Sequence, residues 1–187
     1  PIKNKMSSSE IGFSDPDDLY HKMKNVFTWD ALKRPDYFID YHNNYTFCGV
    51  LSQRQLFANV AREQLKAGEK ERTIEILDMC QECVPEENYP LDMVYLGFSN
   101  EYMVLEMIEL YYEAGAPEKA LALAERFAES LMASANFFLY NYDYTKREFE
   151  TCYSTLSYLA ELADMNGDKE FAEDIRTRFN ALLDIEE

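Results

Sequence analysis

The chain is short of cations, histidine, glycine and proline, and each shortage removes a class of function or fold. It has 18 Lys and Arg against 35 Asp and Glu, a net charge of -17. Phosphate backbones and anionic lipid surfaces repel such a chain, which excludes nucleic-acid binding and direct lipid binding. Only two histidines occur, His21 and His42, and neither stands four residues from another ligand of a metal set, so both belong at the surface or at helix ends. Six glycines and six prolines in 187 residues, with 47% hydrophobic content, fit a folded globular body with a sizeable core. No run approaches the ~20 consecutive apolar residues that span a bilayer, and no signal-peptide pattern opens the sequence. There is no Gly-rich phosphate loop, no nucleophile elbow and no Ser/His/Asp set. The sequence therefore predicts no catalytic residue, no metal ligand and no cofactor.

What is present is a hairpin signature that recurs three times, at Gly68-Glu-Lys, Gly115-Ala-Pro-Glu-Lys-Ala and Gly167-Asp-Lys-Glu-Phe-Ala, each between two amphipathic segments. Aligning the glycines brings apolar or small residues into register. Eleven positions before each glycine stand Phe57, Val104 and Leu156, and seven before stand Ala61, Ile108 and Ala160. Five after come Thr73, Ala120 and Ala172, and twelve after come Cys80, Phe127 and Phe179. Stacked helix pairs must present the same faces to their neighbours, which produces this kind of register. The pattern resembles the tetratricopeptide repeat. Its period exceeds the usual ~34 residues, which longer helices account for, and Arg176 stands where an apolar residue is expected.

The expected fold is all-α: a tetratricopeptide-like right-handed helical repeat of about three helix pairs plus an N-terminal helix. Residues 1–13 read as a tether or frayed end, and 14–187 as a single helical-repeat domain. A short helix starts at Ser14-Asp15-Pro16-Asp17-Asp18, with a capping side chain, a first-turn proline and acidic residues at the positive end of the dipole. It ends near Phe27-Thr28-Trp29. A loop containing Pro35 precedes a long helix from about Ile39 to Ala67, and its partner runs from Lys70 to Val84, ended by Pro85. Residues 86–98, with Pro90 and Gly97, form a connector. Helices follow at about Ser99 to Ala114, Pro117 to Tyr140, Lys146 to Asn166 and Lys169 to Leu183. No segment alternates with period two long enough to predict a sheet.

Few residues invite a chemical role. Cys80-Gln-Glu-Cys83 has the spacing of a redox pair or half a metal site, but it stands near a helix end, where the dipole does not favour a thiolate, and no second pair exists. Both thiols, with Cys48 and Cys152, read as buried packing residues. Asp15, Asp17 and Asp18 lack the glycine and distal glutamate of a calcium loop and read as helix capping. In Phe137-Phe-Leu-Tyr140-Asn-Tyr142-Asp-Tyr144 the helix is expected to end near Tyr140, with the tyrosines stapling the loop to the next hairpin. A sticky surface patch is the alternative. The remaining candidate is the groove made by the first helix of each pair, where repeat arrays hold peptides. Gln55, Arg62, Tyr102, Glu109, Tyr112 and Glu161 line it. It has no Lys/Asn/Arg carboxylate clamp, so the expected partner is a neutral or basic protein or peptide.

A closer resemblance rests on Asp18-Leu-Tyr-His-Lys-Met-Lys-Asn-Val-Phe-Thr-Trp29, Pro35-Asp-Tyr-Phe-Ile-Asp40, Ala61-Arg-Glu-Gln-Leu-Lys-Ala-Gly-Glu-Lys70, Ile76-Leu-Asp-Met-Cys80 and Val84-Pro-Glu-Glu87. These resemble the soluble C-terminal region of a multi-spanning membrane protein family common in Bacteroidetes and of unknown function. The membrane part of that family is similar to protein O-mannosyltransferases. The resemblance covers Ser14 to Leu131, while the Tyr89 to Asn100 connector and the tail beyond Ala135 follow it loosely. It implies a periplasmic-facing, non-catalytic appendage of an inner-membrane glycosyltransferase, with the catalytic carboxylates in the membrane part. Starting at Pro1, the sequence reads as a piece of such a protein. The appendage holds an acceptor or partner protein. Alternatively, it braces its own transmembrane region, or is a free-standing soluble adaptor.

Overall fold

The computed structural model describes the backbone of residues 15–35, 50–92, 94–95 and 98–183, and the side chains of 15–35, 53–92 and 102–183. Within these residues the fold is all-α. The helices are α1 (Pro16–Asn25), α2 (Val50–Lys66), α3 (Lys70–Cys83), α4 (Asn100–Ala114), α5 (Pro117–Tyr140), α6 (Tyr142–Asn166) and α7 (Lys169–Leu183). The sequence-predicted tether at 1–13, and the expected helix start at Ile39, lie outside the described residues.

Three turns of one geometry organise the chain. Each of the glycines 68, 115 and 167 takes a left-handed backbone, with φ of 87°, 88° and 99°. In the first turn the Gly68 amide donates to the Leu65 carbonyl and the Glu69 amide to that of Gln64, both at 2.9 Å. The same pair of bonds recurs from Gly115 to Tyr112 (3.0 Å) and Ala116 to Tyr111 (2.9 Å), and from Gly167 to Asp164 (3.2 Å) and Asp168 to Ala163 (2.9 Å). This is the Schellman closure, which satisfies the last carbonyls of a helix and needs a residue that tolerates positive φ. A Cβ on Gly115 would meet nothing within 4 Å, so the cost of adding one lies in the backbone alone. Gly115→Ala is expected to lower stability by about 1–2 kcal/mol, measurable by urea unfolding.

The glycine register carries into the core. Phe57, Val104, Ala61, Ile108, Thr73, Ala120, Ala172 and Phe127 are fully buried, and Leu156, Ala160, Cys80 and Phe179 nearly so. One contiguous apolar cluster runs from Met23 to Phe179. Each helix from α2 onward packs on the next helix, each first helix (α2, α4, α6) also packs on the following first helix, and α5 also packs on α7. Arg176 is not in the core; it points out to Asp164 at 3.3 Å.

α1 closes the first hairpin. Asp15 caps it by accepting from the Asp17 amide at 2.9 Å, with Pro16 in the first turn. Trp29 lies on Phe57 with ring centroids 4.9 Å apart, and its indole donates to the Met23 carbonyl at 3.1 Å. After α3, Pro85 starts a turn, and the buried Arg54 guanidinium donates to the carbonyls of Tyr89 and Pro90, fixing the connector.

Two details depart from the sequence expectation. The connector carries a two-residue antiparallel ladder, β1 (Val94–Tyr95) with β2 (Phe98–Ser99). Two residues are too few to show a period-two pattern. The loop expected before Lys146 is instead helical from Tyr142, with a kink at Thr145 (φ -124°). The Thr145 hydroxyl donates to the carbonyls of Phe138 (2.7 Å) and Asn141 (2.9 Å), which holds the corner at a single linking residue.

Four positions before each glycine stand Gln64, Tyr111 and Ala163, all buried. The Tyr111 hydroxyl donates to Asp78 at 2.9 Å and accepts from Gln81 at 2.7 Å. Among the described residues Gln64 has no hydrogen-bond partner for either end of its amide. A buried unpaired amide is destabilising, so Gln64→Met is expected to raise stability by about 1 kcal/mol in the same unfolding assay.

Candidate interaction surface

The six residues expected to line the first-helix face fall into two groups. Gln55, Tyr102 and Glu161 are exposed and form no hydrogen bond or ion pair among the described residues, and Tyr102 is 73% exposed. Arg62, Glu109 and Tyr112 are half-buried and engaged with the next hairpin. The Arg62 guanidinium donates to Asn59 at 3.0 Å and forms an ion pair with Glu106. Glu109 accepts from the Tyr158 hydroxyl. The Tyr112 hydroxyl donates to Asp168 at 2.6 Å, at the turn that starts α7. Arg62 is therefore paired with Glu106, one turn before Glu109 on the same helix, and Tyr112 is tied down at the edge of the face.

These pairs follow a rule in the glycine register. Arg62, Glu109 and Glu161 stand six positions before their glycines, and Asn59, Glu106 and Tyr158 stand nine before. In the contacts of Arg62 and Glu109 the residue at minus six meets the residue at minus nine of the following hairpin, whereas Tyr112 reaches Asp168 outside this rule. The face is stitched by polar rungs, one from α2 to α4 and one from α4 to α6. Glu106, Tyr158 and Asp168 escaped the sequence reading, although comparing minus six with the next minus nine would have exposed the first two.

The second helices have a rung of their own. Eleven positions after their glycines, Arg126 reaches Glu86 at 3.0 Å and Gln81, and Arg178 reaches both Glu129 oxygens at 2.6 and 3.0 Å. Arg178 holds the Glu129 carboxyl below the usual carboxylate range. Beside this, Lys119 and Tyr111 both donate to Asp78. Exposed pairs of this kind contribute roughly 0–1 kcal/mol each.

The other candidates are packing features. Cys80 and Cys83 are buried free thiols and Cys152 is buried, and burial pushes Cys80 up to about 12. That direction opposes nucleophilic or redox use. Cys48 and His42 lie outside the described residues. His21 is exposed beside Asn25, with Nδ1 3.2 Å from its amide nitrogen. Asp17 pairs with Arg72 at 2.8 Å and Asp18 with Lys22 at 2.5 Å, so the acids around Asp15 cap and pair. Among the described residues no three His, Cys, Asp or Glu side chains gather as a metal site. No helix among them is long and apolar enough to cross a membrane.

A cavity of about 240 Å³ between the first two hairpins is lined by Arg54, Cys80, Gln81, Met107, Leu123 and Arg126, among others. It falls below the roughly 300–1,000 Å³ of small-molecule sites. Arg126 is engaged with Glu86 and Gln81, and Arg54 with the connector carbonyls.

The tyrosine run corrects an expectation. The helix does end at Tyr140, but Tyr140 and Tyr144 are 89% and 92% exposed and staple nothing. Only Tyr142 packs forward, its ring 5.7 Å from that of Phe149. Thr145 makes the corner through its hydroxyl, and Phe137, Tyr140 and Tyr144 are left exposed. Compared with protein-family models, curated proteins and solved structures, the chain matches none.

Proposed function

We propose that this chain is a tetratricopeptide-like, non-catalytic protein-interaction domain that holds a protein segment on the face of α2, α4 and α6. In keeping with the sequence resemblance, it is a periplasmic-facing appendage of a membrane-embedded glycosyltransferase, where it concentrates an acceptor or partner near the enzyme. Linkage to a membrane part turns weak binding into a high effective concentration, so modest affinity suffices. The observation that carries this reading is the repetition itself. Three hairpins closed by the same glycine turn bury the same register positions and leave first-helix side chains such as Gln55, Tyr102 and Glu161 unengaged. An array of equivalent helices presents an extended surface suited to a chain segment.

The test is selection of binders from a random dodecapeptide display library by the purified chain, with the bound peptide located by amide chemical shifts. Shifts confined to α2, α4 and α6 support the proposal. No enriched peptide, or shifts on α3, α5 and α7, would overturn it in favour of a structural brace.

A further inference from the structure

Among the described residues the polar rungs of the first-helix face run as far as Glu161. Arg62 of the first hairpin meets Glu106 of the second, and Glu109 of the second meets Tyr158 of the third. Glu161 holds the same register position as Arg62 and Glu109, yet it is exposed and among the described residues has neither an ion pair nor a hydrogen bond. In the rung before it, a carboxylate at this position receives a donor from outside its own hairpin. Glu161 lacks that donor among the described residues.

Its surroundings suit one kind of donor. Tyr158 stands one turn before Glu161 on α6 and Met165 one turn after, and they are 42% and 73% exposed. Residues three and four apart share a helix face, so the carboxylate lies between an aromatic ring and a flexible thioether. The negative charge reaches the ring. The Tyr158 hydroxyl is held above its ordinary pKa by its bond to Glu109, then by burial, and by the charges of Glu109 and Glu161. A lysine or arginine needs such a seat, with apolar surface for its stem and a carboxylate for its head. Arg62 pairs with Glu106, and Arg176 with Asp164 at 3.3 Å. With a net charge of -17 on the chain, complementarity favours a cation from outside.

We propose that Glu161, flanked by Tyr158 and Met165, seats a lysine or arginine side chain of the protein segment bound to the first-helix face, completing the third rung. This rests on the interaction face proposed above and names its chemistry: the partner is a basic segment, engaged at the third hairpin.

The peptides selected from the dodecapeptide library provide the probe. They are expected to be enriched in Lys and Arg and to shift the amides around Glu161. Binding should weaken about tenfold in Glu161→Gln and with added salt, while Glu125→Gln, at an exposed position of α5, leaves it unchanged. Circular dichroism confirms that both exposed substitutions retain the fold. Neutral or acidic peptides bound on the same face would overturn the basic partner and leave the face standing. Basic peptides that bind Glu161→Gln as tightly as the parent chain would overturn the seat. Peptides that map to α3, α5 and α7 would remove the face itself.

Discussion

Phe127→Ala is expected to lower the free energy of unfolding by about 3–5 kcal/mol. Phe127 is fully buried in the middle hairpin, on α5, which packs against α4, α6 and α7. A cavity there is walled by helices on several sides, which limits collapse. The equivalent residues grade the prediction. Phe179 belongs to the last helix and rests on Phe149 and Tyr153 at 5.9 and 5.1 Å, so Phe179→Ala should cost less. Cys80→Ala removes only a sulfur and should cost about 1 kcal/mol. Urea unfolding of the three variants gives the order Phe127, Phe179, Cys80. Equal losses at all three would mean that the middle hairpin is not enclosed by its neighbours.

Alkali should unfold the chain through two buried groups. Burial pushes the Cys80 thiol up to about 12, against an ordinary value of roughly 8.5. The Tyr111 hydroxyl is raised far above its ordinary value, first by burial and then by the charge of Asp78, to which it donates. Both groups are neutral when protonated, so their folded-state contribution is intact below the unfolded pKa. As pH rises past that value the unfolded chain ionises first, and stability is lost until the folded pKa is reached. The loss from Cys80 begins near pH ~9 and from Tyr111 near pH ~10, each at about 1.4 kcal/mol per pH unit. Together they should remove about 4 kcal/mol by pH ~11. Denaturant midpoints measured from neutral to alkaline pH under reducing conditions test this. Cys80→Ala should delay the onset by about one pH unit, and Tyr111→Phe should flatten the slope above pH ~10. Unchanged slopes in both variants would place the alkaline sensitivity elsewhere.

The helical architecture was legible because hydrophobic spacing and glycine carry it directly. A residue that must bury against a neighbouring hairpin recurs at fixed distance from the turn, and Gly68, Gly115 and Gly167 mark those turns by the φ they require. The first-helix face was less legible because its polar residues are placed by their partners on another hairpin. Arg62 and Glu109 belong to separate rungs, and their partners Glu106 and Tyr158 gave no signal within their own helices. The Tyr142–Tyr144 corner was misplaced for a related reason. One threonine hydroxyl bonding two carbonyls lets the helix resume after a single residue, whereas the sequence shows only a cluster of aromatics. The connector ladder is too short to leave a pattern.

The rung rule is tested most directly by a charge-reversal cycle on Arg62. Arg62→Glu places two carboxylates together and should cost about 1 kcal/mol. Adding Glu106→Arg restores the pair with its signs exchanged and should recover most of that loss. Combining Arg62→Glu with Glu109→Arg should recover none of it, because the two positions belong to different rungs. Recovery with Glu109→Arg and not with Glu106→Arg would contradict the stacking register on which both the surface and its open third rung depend.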